Sequence, residues 1–274
     1  MKAKIGYQLY SAREECAKDL LGVLKQLKAL GYDGVEFAGF YGHTADEIKS
    51  MLDEAGLEAF SDHVPFAVIQ KDMFGVISDH VKIGCKFIAV PYLEEAYRPG
   101  NPAFATVIRT IVKFGALCRE AGIQLLYHNH DFEFQKISGG YALDFLYEAV
   151  DAELLKTELD TCWVNYSGVN PAEYIRKYAG RCPIVHLKDF VGTKGDVQPY
   201  ALVNADGTDD GKNSQTAAFE FRPVGYGCQN VPAIVEAGVE SGAGCFIVEQ
   251  DMWYNRTPLE AAKMSIDYLK SIGL

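Results

Sequence analysis

Two histidines and two carboxylates stand close together near the middle of the chain. They are His128, His130, Asp131 and Glu133, and the apolar run 123–126 before them is typical of a buried strand. Alternate residues of a strand face the same side, so His128 and His130 share one face. Such a cluster can bind a metal ion or transfer protons, although a polar loop with hydrogen-bonded histidines would have the same composition.

The sequence around this cluster repeats one unit, a short apolar strand followed by an amphipathic helix. Strands are predicted at about 3–9, 34–37, 57–63, 86–91, 123–130, 155–160, 184–188 and 244–250. Helices are predicted at about 14–30, 44–55, 70–83, 103–121, 140–150, 171 onward, 230–241 and 258–272. Phe74, Ile77 and Val81 supply the apolar positions of the third helix.

This alternation of strands and helices predicts a parallel sheet of the α/β class. Eight units in 274 residues favour one (β/α)8 TIM barrel over the whole chain, 1–274. A doubly wound open sheet is the competing fold, but no G-x-G-x-x-G follows the first strand. The long irregular segment at about 191–228 is predicted to lie as a loop over the C-terminal face.

Residues that can do chemistry gather where the predicted strands end. In a (β/α)8 barrel these ends form one face, and active sites lie there. The residues are Glu36, His63, His128, His130, Glu158, Asp160, His186, Lys188 and Glu249. Four of the six histidines belong to this set, whereas His43 and His80 lie elsewhere. Scattered core histidines would not collect at one face, so the pattern favours a functional pocket.

Asp160, His186 and Glu249 come from three successive strands and can converge on one cation. Mixed nitrogen and oxygen ligands suit one divalent ion of Mn, Mg, Zn or Co. Each residue also has an ordinary explanation: Asp160 could cap a turn, His186 could be a hydrogen-bonded core histidine, and Glu249 could pair with Lys188. A shared metal site accounts for all three residues together.

Five motifs at these strand ends resemble the sugar phosphate isomerase/epimerase family of the xylose isomerase-like TIM barrel superfamily. They are Gly-Tyr-Asp-Gly-Val-Glu-Phe (31–37), Tyr-His-Asn-His-Asp-Phe-Glu-Phe (127–134), Glu-Leu-Asp-Thr-Cys-Trp-Val (158–164), His-Leu-Lys-Asp (186–189) and Val-Glu-Gln-Asp (248–251). The resemblance runs from Ile5 to Leu269. It implies one divalent metal held by Glu, Asp, His and Glu, and Asp160, His186 and Glu249 match the last three of these ligands.

The chain departs from the family pattern at the first ligand. Many relatives end the fifth strand with Glu-Asn-His, whereas this chain has His128, Asn129 and His130. Either His128 binds the metal itself, or Glu133 reaches back to it. We expect Glu133 to be the ligand, because a carboxylate preserves the charge of the family's ligand set.

The resemblance implies a reaction that begins with loss of a proton beside a carbonyl group. A metal that holds two adjacent substrate oxygens acidifies the intervening carbon and stabilises an enediolate. Glu158, Lys188 and His128 are the candidate catalytic residues, with Glu133 an alternative base if His128 binds the metal. The candidate substrate-binding residues are His63, His130, Glu36, Trp163 and Arg222. Arg222 could hold a phosphate or carboxylate, or it could be a solvated loop charge.

Composition limits the remaining functions. With 26 basic and 37 acidic residues the formal net charge is -11, which argues against nucleic-acid and anionic-membrane surfaces. No run of 18 apolar residues is present, and the seven scattered cysteines include no C-x-x-C pair. We therefore expect a cytoplasmic protein without a signal peptide. The family resemblance implies a sugar or sugar phosphate as the substrate. A homodimer is a reasonable default.

Two other functions remain open on the sequence alone. A lyase or hydrolase of a 3-keto-sugar or keto-inositol would use the same metal and the same first step. A non-catalytic sugar-binding barrel would lack the metal. DNA repair like that of endonuclease IV is disfavoured, because the charge is wrong and the three-metal ligand set is absent from the sequence.

Overall fold

A computed structural model describes residues 3–193 and 219–274. The strands are β1 (Lys4–Gln8), β2 (Gly34–Phe37), β3 (Glu58–His63), β4 (Phe87–Val90), β5 (Gln124–His128), β6 (Lys136–Ile137), β7 (Gly140–Tyr141), β8 (Lys156–Asp160), β9 (Ile184–Leu187), β10 (Asp189–Gly192), β11 (Phe219–Arg222) and β12 (Cys245–Val248). β6 pairs with β7 and β10 pairs with β11, while the other eight strands form a closed barrel. Parallel pairing of β1 with β12 closes it, which confirms the predicted fold.

Helices surround the barrel and follow its strands. They are α1 (Arg13–Leu30), α2 (Ala45–Ala55), α3 (Phe66–Lys71), α4 (Met73–Ile83), α5 (Phe104–Glu120), α6 (Ala142–Ala149), α7 (Thr161–Tyr166), α8 (Pro171–Lys177), α9 (Val231–Glu240) and α10 (Pro258–Ser271). A capping box of Thr44 and Glu47 begins α2, at the start of the helix predicted over 44–55. Within the two described ranges, no helix combines the length and the apolarity needed to cross a membrane.

One predicted helix, 70–83, differs from the structure. The chain breaks at Asp72, whose φ of -152° is not helical and whose side chain accepts a hydrogen bond from Gly75 N. Asp72 thereby ends α3 and caps α4. The break rotates the apolar face: Phe74 is 70% exposed and Val81 51% exposed. Burial of His80 was not expected from the apolar pattern.

The lower part of the barrel interior is apolar. Phe60 fills it and packs against side chains from four other strands, namely Ala89, Leu126, Ile184, Cys245 and Ile247. Glycines make room for the Phe60 ring, because a Cβ on Gly6 would lie 2.8 Å from its Cδ2 and a Cβ on Gly34 would lie 2.7 Å from its Cζ. These side chains close the barrel from below.

A register shift in β3 sets which side chains face the upper interior. The pairing of β2 with β3 skips one residue, Phe60, between Ala59 and Ser61. Strict alternation from Phe60 would turn Asp62 inward. With the extra residue, His63 enters the barrel instead, and Asp62 bonds to His80 of α4 at 2.9 Å.

The segment predicted as a long loop, 191–228, is anchored at both ends. β10 and β11 pair in antiparallel fashion, and Asp189 pairs with Arg222 in their register. The Asp189 carboxylate also accepts hydrogen bonds from four backbone N–H groups, those of Phe190, Gly225, Gly227 and Gln229. Residues 194–218 lie outside the described residues, so the predicted position of the loop over the face remains a prediction.

Candidate metal centre and active site

The ends of four barrel strands bring two histidines and two carboxylates together. His128, Asp160, His186 and Glu249 are buried, and one ligand atom from each lies within 4.8 Å of the others. Asp160 stands opposite His186 in the pairing of β8 with β9. His128 Nε2 is 3.7 Å from Asp160 Oδ2, and His186 Nδ1 is 3.1 Å from Glu249 Oε2. We call these four residues the upper cluster.

The two carboxylate oxygens of Asp160 have different roles: one caps a helix and the other faces the upper cluster. Oδ1 accepts hydrogen bonds from the backbone of Cys162 at 2.8 Å and of Trp163 at 3.1 Å, so it caps α7. Oδ2 is buried and has no hydrogen-bond partner. A buried, unpartnered carboxylate oxygen is costly unless a cation binds it, so the upper cluster fits a metal ion.

Glu133 does not join the upper cluster. Its Oε1 accepts a hydrogen bond from Tyr127 OH at 2.6 Å, and its Oε2 accepts one from His130 N at 2.9 Å. Glu133 lies in the 3-10 helix Phe132–Phe134, and its hydrogen bond with Tyr127 places it on the Tyr127 side of β5 rather than on the His128 side. His128, rather than Glu133, therefore stands among the candidate ligands. Burial raises the pKa of Glu133 to about 7.

Lys188 supplies the positive charge beside the upper cluster. Its Nζ lies 2.8 Å from Asp251 Oδ2, 3.3 Å from Glu249 Oε2 and 3.8 Å from Asp160 Oδ2. Burial alone would lower the pKa of Lys188, but these three carboxylates hold it well above its usual value. Sequence reasoning missed Asp251 as a site residue, although it faces the same way as Glu249 at two residues' spacing.

Electrostatics distinguish the two carboxylates of the upper cluster. Burial raises the pKa of Asp160 to about 7, against the opposing charge of Lys188. Burial also acts to raise the pKa of Glu249, but Lys188 and His186 hold it well below its usual range. A cation bound between them would favour the ionised form of both.

A second group of side chains adjoins the upper cluster. His63 Nε2 lies 2.8 Å from Glu158 Oε2 and 3.1 Å from Glu36 Oε1, and His186 Nε2 lies 2.7 Å from Glu36 Oε1. We call Glu36, His63 and Glu158 the inner cluster. Burial opposes ionisation of Glu36, but His63 and His186 hold its pKa well below its usual range. Burial and the charge of Glu36 raise the pKa of Glu158 to about 7.

The remaining candidate residues divide between the site and its surroundings. His130 stacks on Trp163 with ring centroids 5.4 Å apart, and Lys188 Nζ lies 5.2 Å from the Trp163 ring. These contacts put both aromatic rings at the upper cluster. Arg222 forms an ion pair with Glu220 and lies 5.9 Å from the Tyr254 ring. These contacts of Arg222 are with residues outside the upper cluster, so they give no support for Arg222 as a substrate-binding residue.

The closed barrel and its upper cluster define a (β/α)8 protein with a candidate metal centre at the C-terminal face. The chain belongs to the xylose isomerase-like TIM barrel family, whose sequence profile matches residues 24–272. This confirms the resemblance found in the sequence motifs.

Individual relatives are distant but extend over nearly the whole chain. Inosose dehydratase of Geobacillus kaustophilus (strain HTA426) is 24% identical, over 90% of this chain and 85% of the relative. A sugar phosphate isomerase/epimerase of Parabacteroides distasonis ATCC 8503 superimposes with a TM-score of 0.76 at 22% identity, over 98% of each chain. The IolI protein with a zinc atom gives a TM-score of 0.70 at 14% identity, over 98% of this chain and 97% of the other. These structures share the fold.

Proposed function

We propose that this protein is a metal-dependent carbohydrate isomerase or epimerase that removes a proton from the carbon beside a carbonyl group. The observation that carries the proposal is the upper cluster, four buried ligand atoms within 4.8 Å of one another at the barrel mouth. Family membership supports it. The substrate class that we propose is a small sugar or sugar phosphate.

The proposed metal ligands are His128, Asp160, His186 and Glu249. Two imidazoles and two carboxylates favour Zn, Co or Mn over Mg, which prefers oxygen ligands. The IolI protein, whose structure contains a zinc atom, supports the proposal of a divalent ion. A divalent ion held there would polarise the carbonyl group and stabilise the enediolate that forms on proton loss.

Lys188 and Asp251 form the proposed acid–base pair. They are 2.8 Å apart, and Asp251 Oδ1 is buried without a hydrogen-bond partner. Asp251 can therefore accept the proton from carbon, while Lys188 keeps its proton and donates a hydrogen bond to the developing oxyanion. Asp251, rather than Glu158, is the proposed base because it adjoins Lys188 beside the upper cluster, whereas Glu158 contacts His63 in the inner cluster.

A dehydratase is the second candidate. The inosose dehydratase relative covers 90% of this chain. The position of Lys188 also suits elimination, because an ammonium group beside the metal ligands can protonate a departing hydroxyl. Both candidates share the first step and differ in whether water leaves the intermediate.

The test compares products in deuterated water. The metal-loaded full chain is incubated with ketoses, ketose phosphates and a keto-inositol, and products are followed by NMR and mass spectrometry. An isomerase gives an equal-mass isomer with solvent deuterium at the reacting carbon, whereas a dehydratase gives a product that has lost water. Metal-stripped protein is the control and should be inactive. A metal-loaded protein that binds these sugars but neither exchanges deuterium nor forms product would overturn the proposal in favour of a binding barrel.

A further inference from the structure

Arg13 lies at the rim of the barrel mouth, next to the proposed base. It is the first residue of α1 and follows the 3-10 helix Leu9–Ala12, which leads out of β1. Its Nη1 donates hydrogen bonds to the backbone carbonyl oxygens of Tyr10 at 3.1 Å and of Asp251 at 3.0 Å. The Asp251 carboxylate contacts Lys188 beside the upper cluster. Arg13 is therefore anchored directly to a residue of the candidate active site.

Two aromatic rings contact the guanidinium group of Arg13. Its Cζ lies 4.6 Å from the centroid of the Tyr10 ring and 5.3 Å from that of the Trp253 ring. Contact with aromatic faces holds a guanidinium group in place and leaves its edges available for hydrogen bonds in its own plane. The two rings therefore orient a positive charge that a flexible side chain would otherwise leave mobile.

One edge of this guanidinium group is without a partner. The hydrogen bonds to Tyr10 and Asp251 come from Nη1 alone. Nε is buried and has no hydrogen-bond partner, and among the residues that the structure describes Arg13 forms no ion pair with a carboxylate. The edge formed by Nε and Nη2 can bind a carboxylate or a phosphate through two parallel hydrogen bonds. A buried N–H donor without a partner is unfavourable until such a ligand binds it.

Two other arginines on loops that follow barrel strands have this edge occupied. Arg98, between β4 and α5, donates from Nε to a backbone carbonyl oxygen and from Nη2 to the hydroxyl group of Tyr92. Arg222, the candidate anion partner from the sequence, is ion-paired through Nη2 with Glu220. Arg13 is therefore better placed than either of them to bind an anion.

We propose that Arg13 binds an anionic group of the substrate, a phosphate or a carboxylate, through Nε and Nη2. The inference rests on the proposed function and narrows its substrate class to acidic sugars. The carbonyl end of such a sugar would lie at the upper cluster, and the anionic group at its other end would lie at the rim beside Arg13. Arg13 is thus a proposed determinant of substrate specificity.

The charges at the barrel mouth favour Arg13 over Lys188 as the partner of an anion. Lys188 already lies close to three carboxylates, those of Asp160, Glu249 and Asp251, and these would repel a further negative group. The whole chain carries a formal net charge of -11, so an anionic substrate needs a local positive group. An anion on Arg13 also leaves Lys188 available to the developing oxyanion.

The experiment measures the binding of three sugar derivatives that have no ketone or aldehyde and therefore cannot be isomerised. They are sorbitol, sorbitol 6-phosphate and gluconate. Isothermal titration calorimetry on the metal-stripped full-length chain gives the Kd of each, and no probe can then be held by a bound ion. We expect one anionic probe to bind about 10- to 100-fold more tightly than sorbitol, because hydrogen bonds between charged groups are strong. The tighter of the two distinguishes a phosphate site from a carboxylate site.

Three variants assign this preference to a residue. Arg13→Gln should bind the anionic probe no more than about twofold more tightly than sorbitol, because the charge and the paired donors are both lost. Arg13→Lys should keep part of the preference, because lysine retains the charge but not the planar pair of donors. Arg98→Gln is the matched control, since it removes one positive charge from a neighbouring loop, and it should keep the full preference. Circular dichroism confirms that each variant is folded.

Three results would overturn the assignment. The first is a native chain that binds neither anionic probe more tightly than sorbitol. The second is a preference that survives Arg13→Gln, and its loss in Arg222→Gln would then move the anion site to that residue. The third is an equal loss of affinity for sorbitol and the anionic probe in Arg13→Gln, which would give Arg13 a purely structural role.

These titrations need neither metal nor turnover, so their failure is distinct from failure of the proposed function. If the titrations fail and the metal-loaded protein exchanges deuterium into neutral ketoses, the isomerase proposal stands without an anion site. If the titrations succeed and the metal-loaded protein forms no product and exchanges no deuterium, the anion site stands in a binding barrel.

Discussion

The lower half of the barrel interior is apolar and closely packed, whereas the upper half is polar and contains buried groups without hydrogen-bond partners. The lower half is filled by Phe60 and apolar partners, with glycines placed where the ring needs space. The upper half is lined by histidines and carboxylates, several with buried polar atoms that have no hydrogen-bond partner. Close apolar packing stabilises the fold, whereas unpartnered polar groups cost about 1–3 kcal/mol each until something binds them. Stabilisation by packing is therefore concentrated in the lower half of the barrel, and the capacity to bind ligands in the upper half.

Asp160→Asn tests the upper half and should have the largest effect. Asparagine keeps an oxygen to cap α7 but removes the charge that a cation requires. We expect loss of the upper metal and a fall in kcat of at least about a thousandfold, with little change in the free energy of unfolding of the metal-free protein. Metal content, kinetics and urea unfolding measure the three quantities. Asp160→Ala is the comparison variant and should lose about 1 kcal/mol more, because the cap is lost too.

Asp251→Asn separates proton transfer from metal binding within the upper half. Lys188 keeps Glu249 as a partner in this variant, but the proposed base can no longer accept a proton. We expect kcat to fall by about 10²–10⁴ while bound metal per chain stays unchanged. Solvent deuterium exchange into substrate should fall in parallel. Normal exchange in this variant would return the role of base to another carboxylate.

Phe60→Ala tests the lower half. Removing the ring leaves a cavity among Gly6, Gly34 and Ile247, and we expect a loss of about 3–5 kcal/mol in the free energy of unfolding. Metal binding by the folded variant should be unchanged, because the ligands come from the other end of the strands. Urea unfolding and metal titration together test this. A variant that unfolds normally but loses metal would show that the two halves are not separable.

Glu133 lies outside both clusters, and its predicted effect is the smallest of the four. The prediction concerns how the free energy of unfolding depends on pH. Its pKa is about 7 in the folded protein, above its usual value near 4.5, because it is buried. Its contribution to stability is therefore fully present below about pH 4.5 and is lost as the pH rises through 7, a change of about 3 kcal/mol. Urea unfolding from pH 4.5 to 8 should show this decline together with those of Glu158 and Asp160, whose pKa values are also raised to about 7, and the total decline should be about 3 kcal/mol smaller in Glu133→Gln. An identical decline in the variant would assign it to another group.

Local pattern was sufficient to predict the barrel and part of its upper cluster. The strand–helix alternation predicts the closed sheet, and strand ends identify Asp160, His186 and Glu249 because these residues continue the regular alternation of β8, β9 and β12. The sequence could not decide between His128 and Glu133. That choice depends on the turn at Phe132–Phe134, whose direction is set by the hydrogen bond from Tyr127 to Glu133.

Two other departures have similar causes. The inward position of His63 depends on the register shift in β3, which alternation along one strand cannot reveal. The break at Asp72 depends on a side-chain cap that competes with helix continuation, and it exposes Phe74 where periodicity predicted burial. The first departure is set by pairing with the neighbouring strand and the second by a contact between side chain and backbone, and neither can be read from local periodicity.

Closure of the lower end of the barrel by Phe60 should affect the rate at which a bound metal ion exchanges. Because the barrel is closed from below, metal ions, substrate, product and water all share the entrance at the C-terminal face. On the proposed function, a substrate bound there would lie between the proposed metal position and solvent. Metal binding should therefore precede substrate binding in an ordered sequence, and metal exchange should slow as substrate saturates the protein. Occupancy of the entrance, rather than intrinsic affinity alone, then governs how long the ion stays bound.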